Sequence, residues 1–222
     1  MHQECIMEYS GVIENWKLFA EAINRIDGQV QALFVEKPAK EGEVAMLESK
    51  LGFELPSSLK EVLLEFSKKV EFRWFMPDDF ELEGDLLQIF SGEMLWSLEW
   101  IAQFNEDKNG WRDEVFSNKE DPYDVVWHNK LAFHEVGNGD YLAIDLSHPN
   151  RQPVVYLSHD DGEGHGIEMA KNFKEFVFLS SRLGCVGAED WQWLPFTSID
   201  APYINPDCEN AKKYRDALGV NI

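Results

Sequence analysis

The chain has 222 residues, with 20 basic against 41 acidic and a net charge of −21. That charge repels phosphate backbones, which argues against direct binding of nucleic acid or of an anionic membrane and suits a basic protein partner. With 44% hydrophobic residues, including 15 Phe, 8 Trp and 6 Tyr, the chain is too aromatic for a disordered acidic segment, and its length suits one domain with terminal extensions.

Cys5, Cys185 and Cys208 lie far apart without CxxC spacing, which argues against a disulfide framework or a cysteine zinc site. The opening MHQECIMEYS has no apolar signal core, and no run reaches the roughly 18 apolar residues of a membrane span. The expected setting is the reducing cytoplasm.

Val12, Trp16, Phe19, Ala20, Ile23 and Ile26 recur at helical spacing and predict an amphipathic helix ending near Gly28. FVEKPAKEG then reads as a break. Val44, Leu47 and Leu51 mark a second helix closed by Gly52. In FELPSSLKEVLLEFSKK, Pro56 suits a first helical turn, Ser58 and Glu61 have capping-box spacing, and Leu59, Val62, Leu63 and Phe66 form one stripe.

VEFRWF, from Val70 to Phe75, alternates as a strand does. From Met76 to Asp124 the 49 residues carry 14 acids against 3 basic residues, a net of −11. Leu86, Ile89 and Phe90 there predict a short strand positioning Trp96. A helix follows from about Leu98 through Phe104, with Trp111, Val115 and Phe116 extending it, and Asp121-Pro122 reads as a loop.

LAFHEV, the turn Gly137-Asn138-Gly139 and DYLAIDL predict a hairpin, since Asn-Gly tolerates the positive φ such turns need. PVVYLS is the next strand, after a turn at His148-Pro149-Asn150. Beyond an acidic loop, Met169, Phe173, Phe176, Val177 and Ser180 trace a helix ending at Gly184. Asn205-Pro206-Asp207 resembles a helix start, with Ala211, Tyr214, Ala217 and Leu218 inside that helix.

Two patterns are candidates for function. His159, Asp160, Asp161, Glu163, His165 and Glu168 are ligand types for a metal, which would make the segment a metal-dependent hydrolase site. Their spacing matches neither HExxH nor a calcium loop, and Gly162, Gly164 and Gly166 read as a mobile loop, so no metal or other cofactor is expected. No GxSxG elbow or phosphate loop occurs, and His128 and His134 read as ordinary surface or partly buried histidines. No catalytic residue is expected. The second pattern is acids interleaved with tryptophan. Asp78, Asp79, Glu81, Glu83 and Asp85 would steer a basic partner, and Trp96, Trp100 and Trp111 would anchor it.

LGFELPSSLKEVLLEFS, the strand after it, SLEWI, NGDYLAIDL, PVVYLSHDDGEGH and NFKEFVFL, in that order, resemble the SUKH superfamily, over roughly Met46 to Leu183. That family includes the yeast cell-wall synthesis regulator and many bacterial immunity proteins. The resemblance implies an α+β fold, with a central, mainly antiparallel sheet flanked by helices. It also implies a non-enzymatic module that binds and neutralises a cognate toxin, often a nuclease or deaminase, or else a regulatory scaffold of the yeast type. Gly139, Asp140 and Asp145 match the family pattern, with hairpin and strand structure as their implied role. The expected layout is an N-terminal helical extension over 1–40, a SUKH-like domain over 41–184, and a C-terminal appendage over 185–222 packed on the same domain.

Overall fold

The computed structural model describes residues 2–198 and 203–222, with side chains from residue 9 onward. The fold is α+β. Among the described residues, seven helices flank two antiparallel sheets, one of three strands and one of four. The side chain of Cys5 lies outside the described residues; Cys185 and Cys208 are free.

Helix α1 (His2–Arg25) buries Val12, Trp16, Phe19 and Ile23 along one face. The segment read as a break is partly a strand, β1 (Gln29–Val35). It is the edge of the first sheet and pairs only with β2 (Lys69–Phe75), across an irregularity at Gln31. Between them lie α2 (Glu41–Leu51), closed by Gly52, and α3 (Ser57–Glu65). The expected capping box of α3 does not form. Ser58 Oγ instead accepts the Phe173 N–H at 3.2 Å, and Glu61 pairs with Lys174 at 2.7 Å. These groups tie α3 to the helix that starts at Phe173 rather than cap their own helix.

In β2, Val70, Phe72 and Trp74 point inward, and the residues between them are only partly buried. The strand beside it is not Leu86–Phe90. It is β3 (Ser91–Ser97), and Trp96 lies within it opposite Val70. Residues 84–86 instead make a 3-10 turn. Helix α4 (Ile101–Glu114) follows.

The second sheet runs β4 (Lys130–Glu135), β5 (Tyr141–Asp145), β6 (Val154–Leu157) and β7 (Glu168–Ala170). It is buried on both faces. Phe133, Leu142, Ile144, Val154 and Tyr156 join the main core, while Ala132, Tyr141, Ala143, Val155 and Leu157 join a smaller one with Phe116 and Trp127. Near-continuous apolar strands follow from that double burial. Helix α5 (Phe173–Ser181) begins at Asn172, whose side chain accepts the Glu175 N–H. Met169 belongs to β7, not to this helix. Short α6 (Asp190–Trp193) and α7 (Glu209–Leu218) complete the chain. Side chains of α1 and of the tail, among them Trp193, Phe196 and Tyr214, lie in the main core beside those of α3 and α5.

A hydrogen-bonded bridge joins the sheets. Glu93 of β3 bonds His134 Nε2 of β4 at 2.7 Å and also pairs with Arg73. Burial would raise the Glu93 carboxyl, but its partners His134 and Arg73 hold it below the usual range. His134 is fully buried within β4.

Candidate functional site

The acidic run leaves β2 at Phe75 and returns to β3 at Ser91. It is a pinned loop. Met76 N–H bonds Phe90 O at 2.7 Å, closing its base, and internal turns bond Phe80 to Pro77, Leu87 to Gly84 and Ile89 to Leu86. Leu82, Leu86 and Ile89 point into the core. Asp78, Asp79, Glu81, Glu83 and Asp85 are therefore displayed outward, all exposed. Among the described residues, none of these five carboxylates is paired with a cation. Beside them opens a groove of about 660 Å³ lined by Phe75, Phe80, Leu87 and Phe90 together with the polar Asp27, Gln29, Gln31, Asp78 and Glu81.

The tryptophans do not join this face. Trp96 is fully buried, packed on Trp16, Phe66 and Phe173, with its indole N–H on Ser67 O at 3.1 Å. It is core and cannot touch a partner. Trp100 lies beyond Ser97, which pairs with Lys69 at the far end of β2. A strand of that length spans about 20 Å at roughly 3.3 Å per residue. Its ring carries the Lys69 ammonium 4.5 Å from its centroid. Trp111 belongs to a third region, on α4, 5.3 Å from the ring of His159. The expectation of one acid-and-tryptophan patch is thus corrected. The inward alternation of β3 buries Trp96, the end of the strand carries Trp100 away, and α4 holds Trp111, so the apolar groups beside the acids are phenylalanines and Leu87.

The loop after β6 is also ordered. His165 Nδ1 accepts the Ser158 N–H at 3.0 Å, while Nε2 donates to Tyr123 O at 3.0 Å, so both ring nitrogens are used. Its ring stacks on Tyr123 at 3.7 Å. Burial lowers its pKa, which matches a neutral imidazole. Gly164 is pressed against Asp190 and Trp193, where a Cβ would come within 2.5 and 2.8 Å. The glycines expected to make the loop mobile include one that lets it pack.

Asp140, His159 and Asp160 bring potential ligand atoms within 4.8 Å of one another. Asp140 is 1% exposed, and its two oxygens already accept four bonds. Asn138 Nδ2 and the Tyr156 hydroxyl reach Oδ2 at 2.8 and 2.5 Å; the backbone N–H and Nδ1 of His159 reach Oδ1 at 2.8 and 2.7 Å. A carboxylate has about four lone-pair sites, so Asp140 is saturated. Burial and Asp140 push the Tyr156 phenol far up, which keeps it a donor. Asp140 and His159 are therefore a hydrogen-bonded clamp that fastens the β4–β5 turn to the loop after β6, while Asp160 accepts from Ser158 Oγ at 2.9 Å. A cation there would have to displace these donors. Gly139 alone takes the positive φ of that turn, 97°, while Asn138 contributes its side chain, accepting the Asp140 N–H at 3.0 Å.

Lys108 is an unexpected feature. It lies on α4 with no exposed surface, its Nζ on Asn109 Oδ1 at 2.6 Å. Burial first, then the nearby charges of Arg112 and Lys130, push its pKa down to about 7. A signal was present in the sequence, since Phe104, Lys108, Trp111 and Val115 share one helical stripe.

Among the described residues no helix is long and apolar enough to cross a membrane. No curated protein matches the chain in sequence. The model of the SMI1 / KNR4 family (SUKH-1) matches residues 38–178, more than half of the chain and nearly the whole span of the resemblance noted above. The order of helix pair, strand, Gly139-Asp140 hairpin, β6 strand and α5 belongs to that match, and the chain is a member of the SMI1 / KNR4 family (SUKH-1).

Proposed function

We propose that the protein is a non-enzymatic binding module of the immunity type, which holds and neutralises a basic toxin domain of nuclease or deaminase kind. Family membership is consistent with a protein-binding role of this type. One observation carries the finer reading: five exposed carboxylates, unpaired among the described residues, on a loop pinned by Leu82, Leu86 and Ile89. Like charges held together repel one another and oppose folding. A basic partner turns that cost into attraction and speeds encounter. A nuclease or deaminase presents the required basic surface, because it must hold a phosphate backbone. Asp78, Asp79, Glu81, Glu83 and Asp85 are the residues assigned to steering.

The test is capture and rescue. The tagged full chain is expressed in its native host, recovered at low and high salt, and the bound protein identified by mass spectrometry. The captured domain should be basic, arrest growth when expressed alone, and be silenced by co-expression of this chain. A captured toxin whose growth arrest is unchanged by the chain would contradict the reading.

A further inference from the structure

We infer that the groove beside the acidic loop is an anchor site, and that its occupant is an apolar side chain flanked by lysine or arginine on a basic protein segment. The inference deepens the binding reading above and rests on it for the class of partner. Leu87 is 60% exposed and Phe90 48%, although Leu86 and Ile89 next to them are buried. The loop therefore has an apolar side that the core does not use. Phe75 and Phe80 extend that side into the groove of about 660 Å³. Among the described residues no lysine or arginine lines it, while Asp27, Asp78 and Glu81 do, and Gln29 and Gln31 add uncharged hydrogen-bonding groups.

The lining selects the occupant. A phosphate or other anion meets carboxylates and no cation. A second copy of the chain brings the same acids against themselves. A purely apolar ligand leaves the acids without a counter-charge while desolvating their surroundings. A segment carrying an aromatic residue between cations satisfies both parts, with the ring in the groove and the cations on the acids. Interfaces concentrate their energy in such arrangements, an aromatic anchor filling a pocket behind a polar rim. The loop is already held by its backbone bonds and three buried side chains, so little ordering cost is left for binding.

The test uses two dye-labelled peptides, Lys-Arg-Lys-Trp-Lys-Arg-Lys and the same peptide with Ser for Trp, titrated by fluorescence anisotropy against the full chain. The Trp peptide should bind at least about tenfold tighter, and the Leu87→Ser/Phe90→Ser double variant should erase that preference while keeping a weak, salt-sensitive attraction to both. Leu87 is mostly exposed and Phe90 about half exposed, so the variant should stay folded and melt within a few degrees of the parent. Equal binding of the two peptides, no binding of either, or a preference that survives in the double variant overturns the inference. So does sedimentation showing a parent dimer that the double variant dissolves, since the groove would then hold a second copy. The captured toxin separates this inference from the reading beneath it. Toxin bound equally by parent and double variant leaves the immunity reading standing and removes the groove. A peptide preference erased as expected, with no toxin neutralised, keeps the groove and removes the immunity reading.

Discussion

Replacing Asp140 with alanine tests whether the Asp140–His159 pair is a structural clamp or a working site. Asp140 is 1% exposed and accepts four bonds, from Asn138, Tyr156 and twice from His159. Asp140→Ala leaves the fully buried Tyr156 hydroxyl and the His159 backbone N–H without their acceptor. Each buried polar group so stranded costs about 1–3 kcal/mol, and breaking a buried charged network costs roughly 3–5 kcal/mol in all. For a chain of this size a kilocalorie corresponds to about 2–4 °C, so the melting temperature should fall by roughly 6–20 °C. The assay is thermal unfolding followed by circular dichroism, with Tyr156→Phe as the companion variant. Tyr156→Phe removes one donor and strands nothing as deeply, so it should cost less than Asp140→Ala. An Asp140→Ala melting temperature within about 2 °C of the parent would refute the clamp. A parent melting temperature raised several degrees by zinc or manganese would show that Asp140 gives up its donors to a cation.

Lys108→Met should raise stability at pH 7. The folded pKa of Lys108, about 7, lies below its usual 10.5, so the unfolded chain binds more protons between those values and parent stability should climb with pH across that window. The gain should be on the order of 1–3 kcal/mol between pH 7 and 9 by urea unfolding and nearly absent in Lys108→Met; an equal climb in both would show that another group is responsible. His165 has a lowered pKa, so the folded state resists its protonation and stability should drop as pH falls below about 6.5. The loss from pH 7.5 to 5.5 should shrink in His165→Gln, and an identical loss would contradict the neutral imidazole bonded to Ser158. Gly139→Val puts a β-branched residue at a φ of 97° and should cost about 1–3 kcal/mol, read as a lower melting temperature.

Five helices and the strands β4, β5 and β6 are legible where one periodicity runs uninterrupted; β7 is not, because three residues are too few to show alternation and Met169 falls in step with the helix after it. α1, α2, α3, α5 and α7 show stripes, and β4 and β5 flank a glycine turn. β1 is not legible, because it is an edge strand whose adjacent Leu33 and Phe34 are both exposed and it has no buried alternation to read. The apolar pattern places β3 too early. Leu86 and Ile89 are buried by a turn folding onto the core, while the true strand opens with Ser91 and Gly92 and looks weak in isolation. The five acids of the candidate face are legible directly, because clustered like charges without cationic partners stay in water, whereas the burial of single charges such as Asp140 and Lys108 is not legible. Their apolar neighbours could not. Trp96 and Phe90 are both large aromatics close in sequence, and only the alternation of β3 buries one while the loop exposes the other. Asp140 was legible as part of a hairpin motif, but its saturation depends on Tyr156 and His159, which only the folded sheet brings to it.

The central claim is that the acidic loop meets a basic partner. It is tested most directly by the association rate of the captured toxin domain, measured by stopped flow over a series of salt concentrations. The parent should associate fast and slow steeply with salt. A variant with Asp78, Asp79, Glu81, Glu83 and Asp85 changed to lysine should fold normally, associate at least about tenfold more slowly at low salt, and show a flattened salt dependence. An unchanged rate and slope in that variant would contradict the account and place the binding face elsewhere on the molecule.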